Sequence, residues 1–403
     1  MVKLFNQLPP AGTPITGSEL FRIAKASLSG SADDIFERAI KAHTAACSCF
    51  LLSSGRASLA IALQALAQLY DGKKNEVVIP AYTCFTVPAS AAKSHLKMRI
   101  VDIDPMTLDF DFRKLSEIDL SRTAAIVGCN LLGILDNWSK LRSIASANGA
   151  FLIDDAAQAL GARSEFGIAG TMGDVGIFSF GRGKNLSLYS GGAIITSNER
   201  ISSVISHMMA KIPRPSIFSE LATLAKIVMY SVLINPRVYW LPASIPFLGL
   251  GKTIYDPGFD IGGLGVVRRH AGRILLDKLD SINMRRRENA RKLAIIANEG
   301  DRFRIPGYCE PNIPAYLRLP VLCATKAIRD NAIRELQRNG ISASSMYPST
   351  VRQISGIEEH LASDEVDYPG AQTVVDRMLV LPTHPMLADS DIQKIIKCLR
   401  NIN

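Results

Sequence analysis

Residues 153–196 read IDDAAQALGARSEFGIAGTMGDVGIFSFGRGKNLSLYSGGAIIT. The stretch opens on an apolar run that ends at two acids, Asp154 and Asp155. A second β-like run, VGIFSF at 175–180, is followed by Gly181, Arg182 and Gly183 and then by a lone lysine, Lys184. Each run predicts a short strand, so a carboxylate and an amine each stand just past a strand end.

Taken singly, both residues have plain explanations. Asp is a favoured N-cap before Ala-Ala-Gln-Ala-Leu, and a loop lysine is ordinarily solvated. Taken together they describe a pyridoxal 5′-phosphate site. A carboxylate beside a pyridine nitrogen keeps that nitrogen protonated, and an amine forms a Schiff base with an aldehyde.

The blocks DDAAQALGA, GDVGIFSF, the lysine five positions after Ser179, and SGGAI, in that order, resemble the DegT/StrS-like family of sugar aminotransferases. That resemblance implies the aspartate aminotransferase fold. It implies Lys184 as the Schiff-base lysine, Asp155 as the pyridinium partner, Gln158 as a contact to the cofactor ring and Ser179 as a phosphate ligand. Two departures surround the lysine. Ser190, Gly191 and Gly192 stand where members usually carry E-G-G, and Gly181, Arg182 and Gly183 replace a His-Pro-Thr-like linker. They touch substrate choice more than cofactor chemistry.

N-terminal to this stretch, residues 49–52 predict a strand, 53–56 a turn and 57–70 an alanine- and leucine-rich helix. A strand, a small-residue turn and a helix N-terminus form an anion cradle, because first-turn N–H groups lack helical partners. The segment is also a plain strand-to-helix connection. It resembles the family's SGTAAL block, which implies that Gly55, Arg56 and Ala57 hold the cofactor phosphate, with Arg56 a cation in place of a small hydroxyl residue.

Residues 76–91, EVVIPAYTCFTVPASA, contain a buried strand ended by Pro80. Where the family has an aromatic that stacks on the pyridine ring, this chain has Cys84, with Phe85 one position later. Phe85 either stacks there or belongs to the core. Further strands are expected at 100–103 and 150–153, an apolar strand and loop at 124–133, and a helix at 141–148. The acids at 102–111 read as turn and capping groups. Strands alternating with helices predict an α/β large domain, a mostly parallel, helix-covered sheet with its site at the carboxyl ends of the strands.

RLPVLC, a helix at 326–338 and a closing block from 368 that resembles the family's L-P-x-H-P turn and final helix predict a smaller C-terminal α/β domain. His384 there reads as a turn residue. The expected division is 1–255 and 256–403.

Composition fits an ordinary folded protein, at 47% hydrophobic and 21% charged, which excludes disordered and collagenous classes. The net charge of +9 favours anionic partners without selecting among them. Seven scattered cysteines, among them Cys309, suit reduced thiols, and no pair stands at zinc spacing. No metal is expected. Without a signal peptide of the usual form, the cytoplasm is the expected location.

Residues 217–251 are apolar, aromatic and broken by Pro236, Pro242 and Pro246. The first expectation is a helix buried between subunits or against the small domain. The second is peripheral contact with the inner membrane face, helped by Arg268, Arg269, Arg273, Arg285, Arg286 and Arg287. Residues 266–297 predict one long basic helix with a solvated charged face. Nucleic-acid binding would need aromatic interleaving that this run lacks. The family's N-Y-R-M-like motif is missing near residues 259–265, although a homodimer is expected from the fold.

The resemblance implies transfer of an amino group from an amino acid, glutamate, to a keto-sugar, nucleotide-linked, in surface polysaccharide or related synthesis. A related sugar dehydratase usually carries histidine in place of the lysine. A non-catalytic or regulatory protein on the same fold would not need both Lys184 and Asp155.

Overall fold

The computed structural model describes residues 7–29, 34–245, 253–298, 300–307, 312–362 and 367–402. Cys309 and the end of the apolar stretch, 246–251, lie outside them. Its centre is a seven-stranded sheet. In chain order the strands are β1 (Ser48–Leu52), β2 (Glu76–Pro80), β3 (Lys97–Val101), β4 (Thr123–Cys129), β5 (Phe151–Asp155), β6 (Arg163–Ser164), β7 (Gly167–Ile168), β8 (Val175–Ser179) and β9 (Gly192–Thr196). The sheet runs β1-β9-β8-β5-β4-β2-β3, and β6 with β7 forms a separate small ribbon. All neighbours are parallel except where β9 enters antiparallel to both β8 and β1.

The strands bury both faces, as the run of β-branched residues requires. Val127, Ile153, Ile177 and Ile194 pack on one face, under helix Gly55–Gln68. Ile126, Leu152, Phe178 and Ile195 pack on the other, under Ile35–Thr44, Trp138–Ala147 and Val266–Leu276. Residues 17–46 are two helices, Gly17–Leu28 and Ile35–Thr44.

A second, antiparallel sheet of β10 (Phe303–Arg304), β11 (Arg318–Cys323) and β12 (Met378–Pro382) carries helices Lys326–Arg338, Pro369–Arg377 and Asp389–Arg400. The single long helix expected at 266–297 is two, Val266–Leu276 and Leu279–Ala294, followed by a 3-10 turn. No proline or glycine marks the break at Asp277 and Lys278, so packing sets it. The first of the pair lies against Gly17–Leu28 and Ile35–Thr44, on the side of the large sheet, and the second reaches β11 and Asp389–Arg400.

The charged run in the second helix is only partly solvated. Arg285, Glu288 and Lys292 pair at the surface, whereas Arg286 and Asn289 are fully buried. Arg286 donates to the carbonyls of Leu317 (3.0 Å) and Gly12 (2.8 Å), and burial lowers its pKa to about 10. His384 is likewise a buried packing group. Its Nε2 lies 2.9 Å from the Pro9 carbonyl, and burial, with Arg286 nearby, pushes its pKa down to about 3.

The first helix of the apolar stretch does not pack against the C-terminal sheet of the small domain, one of the two burial sites expected for that stretch. Helix Ile217–Leu233 rests on Val266–Leu276 and turns a mostly exposed apolar face outward. Among the described residues, no helix is long and apolar enough to cross a membrane.

Candidate active site

Five strands, β1, β2, β4, β5 and β8, deliver their carboxyl ends to one edge of the sheet, where a cavity of about 350 Å3 opens. Asp155 ends β5 and Ser179 ends β8, its neighbour. Gly55, Arg56, Cys84, Asp155, Gln158, Ser179 and Lys184 all line this cavity. The strand-end carboxylate and the amine, 29 positions apart by their numbers, therefore meet in space.

The two adjacent acids have opposite tasks, because successive side chains on a strand point to opposite faces. Asp154 points into the protein and is fully buried. It accepts from Asn130 Nδ2 at 2.7 Å, from the Gly170 N–H at 2.6 Å and from the Met172 N–H at 3.1 Å, pinning the 170–172 loop to the sheet. Burial still raises its pKa to about 7. Asp155 points into the cavity, and no helix follows it to cap. Its carboxylate accepts from the Ala157 N–H, at 3.0 Å. Burial raises its pKa, while that hydrogen bond and the positive charge of Lys184 hold it down.

The strand, turn and helix expected at 49–70 form, with the helix beginning two residues earlier, at Gly55. Ser54 is the N-cap and its hydroxyl accepts from the Ala57 N–H at 3.2 Å. Ala57 thus spends its amide within the turn and is not among the cavity-lining residues. Gly55 is required by contact. A Cβ there would stand 2.7 Å from Ser179 Cβ, and one at Gly192 would stand 2.5 Å from the Ser54 carbonyl oxygen. Bare backbone lets the helix start press against the ends of β8 and β9, which brings the Ser179 hydroxyl beside the first helical turn.

Lys184 sits on a tight turn. Its N–H donates to the Gly181 carbonyl at 3.2 Å, and Gly183 takes φ +76°, where a side chain would be strained. Thr13 Oγ1 lies 2.9 Å from the carbonyls of both Lys184 and Asn185. Asn185 donates to Asn283 at 2.9 Å. From the apolar helix, the Tyr230 hydroxyl accepts from the Gly183 N–H at 3.4 Å. Desolvation lowers the lysine's pKa, against the opposing pull of Cys84 and Asp155.

Phe85 does not reach the cavity. It is 7% exposed and packs on Tyr347, with ring centroids 6.2 Å apart, so its core alternative holds. Cys84 takes the lining position, and Thr86 Oγ1 lies 3.0 Å from its sulfur. Gln158 is held on both sides. Its Oε1 accepts from the Leu132 N–H and its Nε2 donates to the Tyr347 hydroxyl, each at 3.2 Å. At the site of the missing glutamate, Ser190 Oγ accepts from Arg268, which is 7% exposed and so is no part of a surface basic cluster.

Sequence reasoning missed Arg182 and Tyr189, which also line the cavity. The Arg182 guanidinium lies 5.2 Å from the centre of the Tyr189 ring, and Tyr189 adopts φ +69°. The substituted linker before the lysine was the available signal. It also missed two carboxyls below the sheet edge. Burial pushes Asp109 up to about 6 and Asp136 well above its usual range, and the two share a hydrogen bond.

Residues 19–211 and 270–400 match the DegT/DnrJ/EryC1/StrS aminotransferase family. The L-glutamine:2-deoxy-scyllo-inosose aminotransferase of Streptomyces kanamyceticus is 32% identical over 208 residues, 50% of this chain and 48% of that protein. The spore coat polysaccharide biosynthesis protein SpsC of Bacillus subtilis is 23% identical over 416 residues, covering 100% of this chain and 99% of that one. The chain spans 38% to 48% of the length of the first curated relatives it matches. Among solved structures, the E. coli GDP-4-keto-6-deoxy-D-mannose-3-dehydratase with bound hydrated PLP superposes with a TM-score of 0.79 at 20% identity, covering 98% of this chain and 100% of that one. The family match takes in most of the chain and both sheets, and the chain belongs to the DegT/DnrJ/EryC1/StrS aminotransferase family, with the pyridoxal phosphate-dependent fold that this family shares.

Proposed function

We propose that the chain is a pyridoxal 5′-phosphate-dependent aminotransferase. It moves an amino group from an amino acid, glutamate, to a keto-sugar carried on a nucleotide, for surface polysaccharide or related synthesis. The observation that carries this reading is the meeting in one cavity of Asp155, at the end of β5, and Lys184, on the turn after the neighbouring β8, each charge acting on the other. The relatives' names support the reaction class, the polysaccharide context and the nucleotide-linked keto-sugar.

The residues present fit the cofactor. Close packing at Gly55 and Gly192 sets the helix start beside Ser179, and the N–H groups of Gly55 and Arg56 with Ser179 Oγ are the donors that would hold a phosphate. Asp155 would face the pyridine nitrogen, with Gln158 and Cys84 against the ring. When bound, pyridoxal phosphate supplies a carbonyl for amine exchange and a ring that accepts electrons from the adjacent carbon. Lys184 then holds and moves a proton at Nζ, and its lowered pKa keeps more of it in the basic form. Asp155, fixed by the Ala157 N–H, supplies the negative charge that keeps a facing ring nitrogen protonated. Arg182 and Arg56 give the mouth of the cavity positive charge suited to an anionic substrate.

The dehydratase alternative wants histidine where this chain has Lys184. A regulatory role alone would leave the paired Lys184 and Asp155 without a use. The same reading includes a homodimer, a cytoplasmic location and folding units divided at 255/256.

The test is the absorbance spectrum before and after borohydride reduction, beside Lys184→Ala. The expected result is a visible band that reduction traps covalently on Lys184, absent in the variant, and loss of the band's amino-acceptor form on adding glutamate. A protein that stays colourless with added cofactor overturns the proposal.

A further inference from the structure

Helix Ile217–Leu233 reverses the usual pattern of a surface helix. Two of its polar groups, Thr223 and Glu220, look inward. Thr223 is buried beside Ile227, and Glu220 accepts from the Val267 N–H at 2.7 Å, capping the helix it rests on. Its apolar groups look outward. Phe218 is 84% exposed, Ile217 79%, Leu221 59%, Val232 54%, Met229 48% and Val228 42%. At about 100° per residue these six fall within one arc of roughly 120°, opposite the buried side; Ala225 is the other residue inside that arc, with Ala222 and Leu224 at its edges. A contiguous apolar face of this kind marks a surface that something covers.

Charge says what covers it. Residues 211–245 carry Lys211, Arg214, Lys226 and Arg237 against a single acid, Glu220, which is already turned inward. All four cations are exposed, and none forms an ion pair with another described residue. Lys226 borders the apolar arc, Lys211 and Arg214 precede the helix, and Arg237 follows it. A second copy docked through the same face would oppose cations to cations with no acid between them. A surface with apolar depth and anionic headgroups satisfies both halves of the pattern.

We propose that this face seats the protein on an anionic lipid surface. The helix lies in the plane of the interface, its apolar arc among the acyl chains and its flanking cations at the level of the phosphates. At 17 residues it is about 25 Å long, and it lies on the membrane rather than crossing it. The inference stands on the helix alone and does not depend on the reaction proposed above.

Flotation of the full chain with vesicles tests it. One set is phosphatidylcholine alone and the other includes about one quarter phosphatidylglycerol, each at low and high salt. The chain is expected to float with the anionic vesicles and to be released by salt. Phe218→Ser with Leu221→Ser should cut the bound fraction about tenfold or more. Lys226→Glu with Arg237→Glu should remove the preference for anionic lipid. Light scattering and thermal melting without vesicles should show unchanged mass and stability for both variants. Failure of the unaltered chain to float overturns the proposal, as does unaltered binding by the serine variant. A fall in oligomeric mass in that variant also overturns it, in favour of a contact between copies.

Discussion

The carboxyl edge of the large sheet and the helix Ile217–Leu233 handle side chains in opposite ways. At the sheet edge, backbones approach until only glycine fits. Gly55 and Gly192 leave no space for a methyl group, and the polar atoms that remain are aimed at one cavity. On the helix, large apolar side chains stand in the open, and the inward side holds a threonine and a glutamate that caps a neighbour. The first region turns its polar atoms toward a cavity of the chain itself, whereas the second turns apolar side chains away from it. Tyr230 connects them, because it extends from the apolar helix to the Gly183 amide beside Lys184.

One substitution made twice gives the widest separation. Val127→Ala empties space at a position that is 0% exposed in β4 and should cost about 2 kcal/mol, with a melting temperature several degrees lower. Val232→Ala, at 54% exposure, should stay within about 0.5 kcal/mol of the parent. Equal losses in the two melting curves would mean that the helix face is covered within the folded chain.

A smaller effect is expected from Gly55→Ala. The new Cβ, 2.7 Å from Ser179 Cβ, must push the helix start away from β8. Cofactor affinity, read by spectroscopic titration, should fall about tenfold, about 1.4 kcal/mol, while far-ultraviolet circular dichroism is unchanged. Unaltered affinity would place the phosphate elsewhere.

The smallest expected effect is a change in pH profile. Burial raises Asp109 from 3.8 to about 6, so the folded chain keeps a proton that the unfolded chain has already lost. The stability this gives is full below the unfolded value and is lost as pH rises toward about 6. Asp109→Asn removes that loss. Its melting temperature relative to the parent should therefore be higher near neutral pH than near pH 4, and Val232→Ala should show no such trend. A flat difference for Asp109→Asn would show that the Asp109–Asp136 pair carries no shared proton.

Much of the sheet edge was legible because its signals are local. Two apolar runs ending at Asp155 and near Lys184, and a small-residue turn before an alanine-rich helix, declare strand ends and a helix start from a few residues each. What stayed hidden depends on partners far along the chain. Arg286 sits in a run that reads as solvated, and it is buried only because the carbonyls of Gly12 and Leu317 arrive from elsewhere. Phe85 and Cys84 are adjacent, and which one lines the cavity is decided by Tyr347, more than 200 positions away. For Ile217–Leu233, apolar content announced a helix without saying which side faced the protein.

The segment before the first helix has a bearing on the order of assembly. Leu8 bridges to Ile341, Pro9 to His384, Gly12 to Arg286 and Thr13 to the backbone at Lys184 and Asn185. Three of these four contacts reach residues beyond 280, so the segment is fully seated only once the C-terminal sheet has formed. Through Thr13 the same segment also reaches the lysine turn, so a chain lacking the C-terminal sheet would keep that contact without the neighbouring ones.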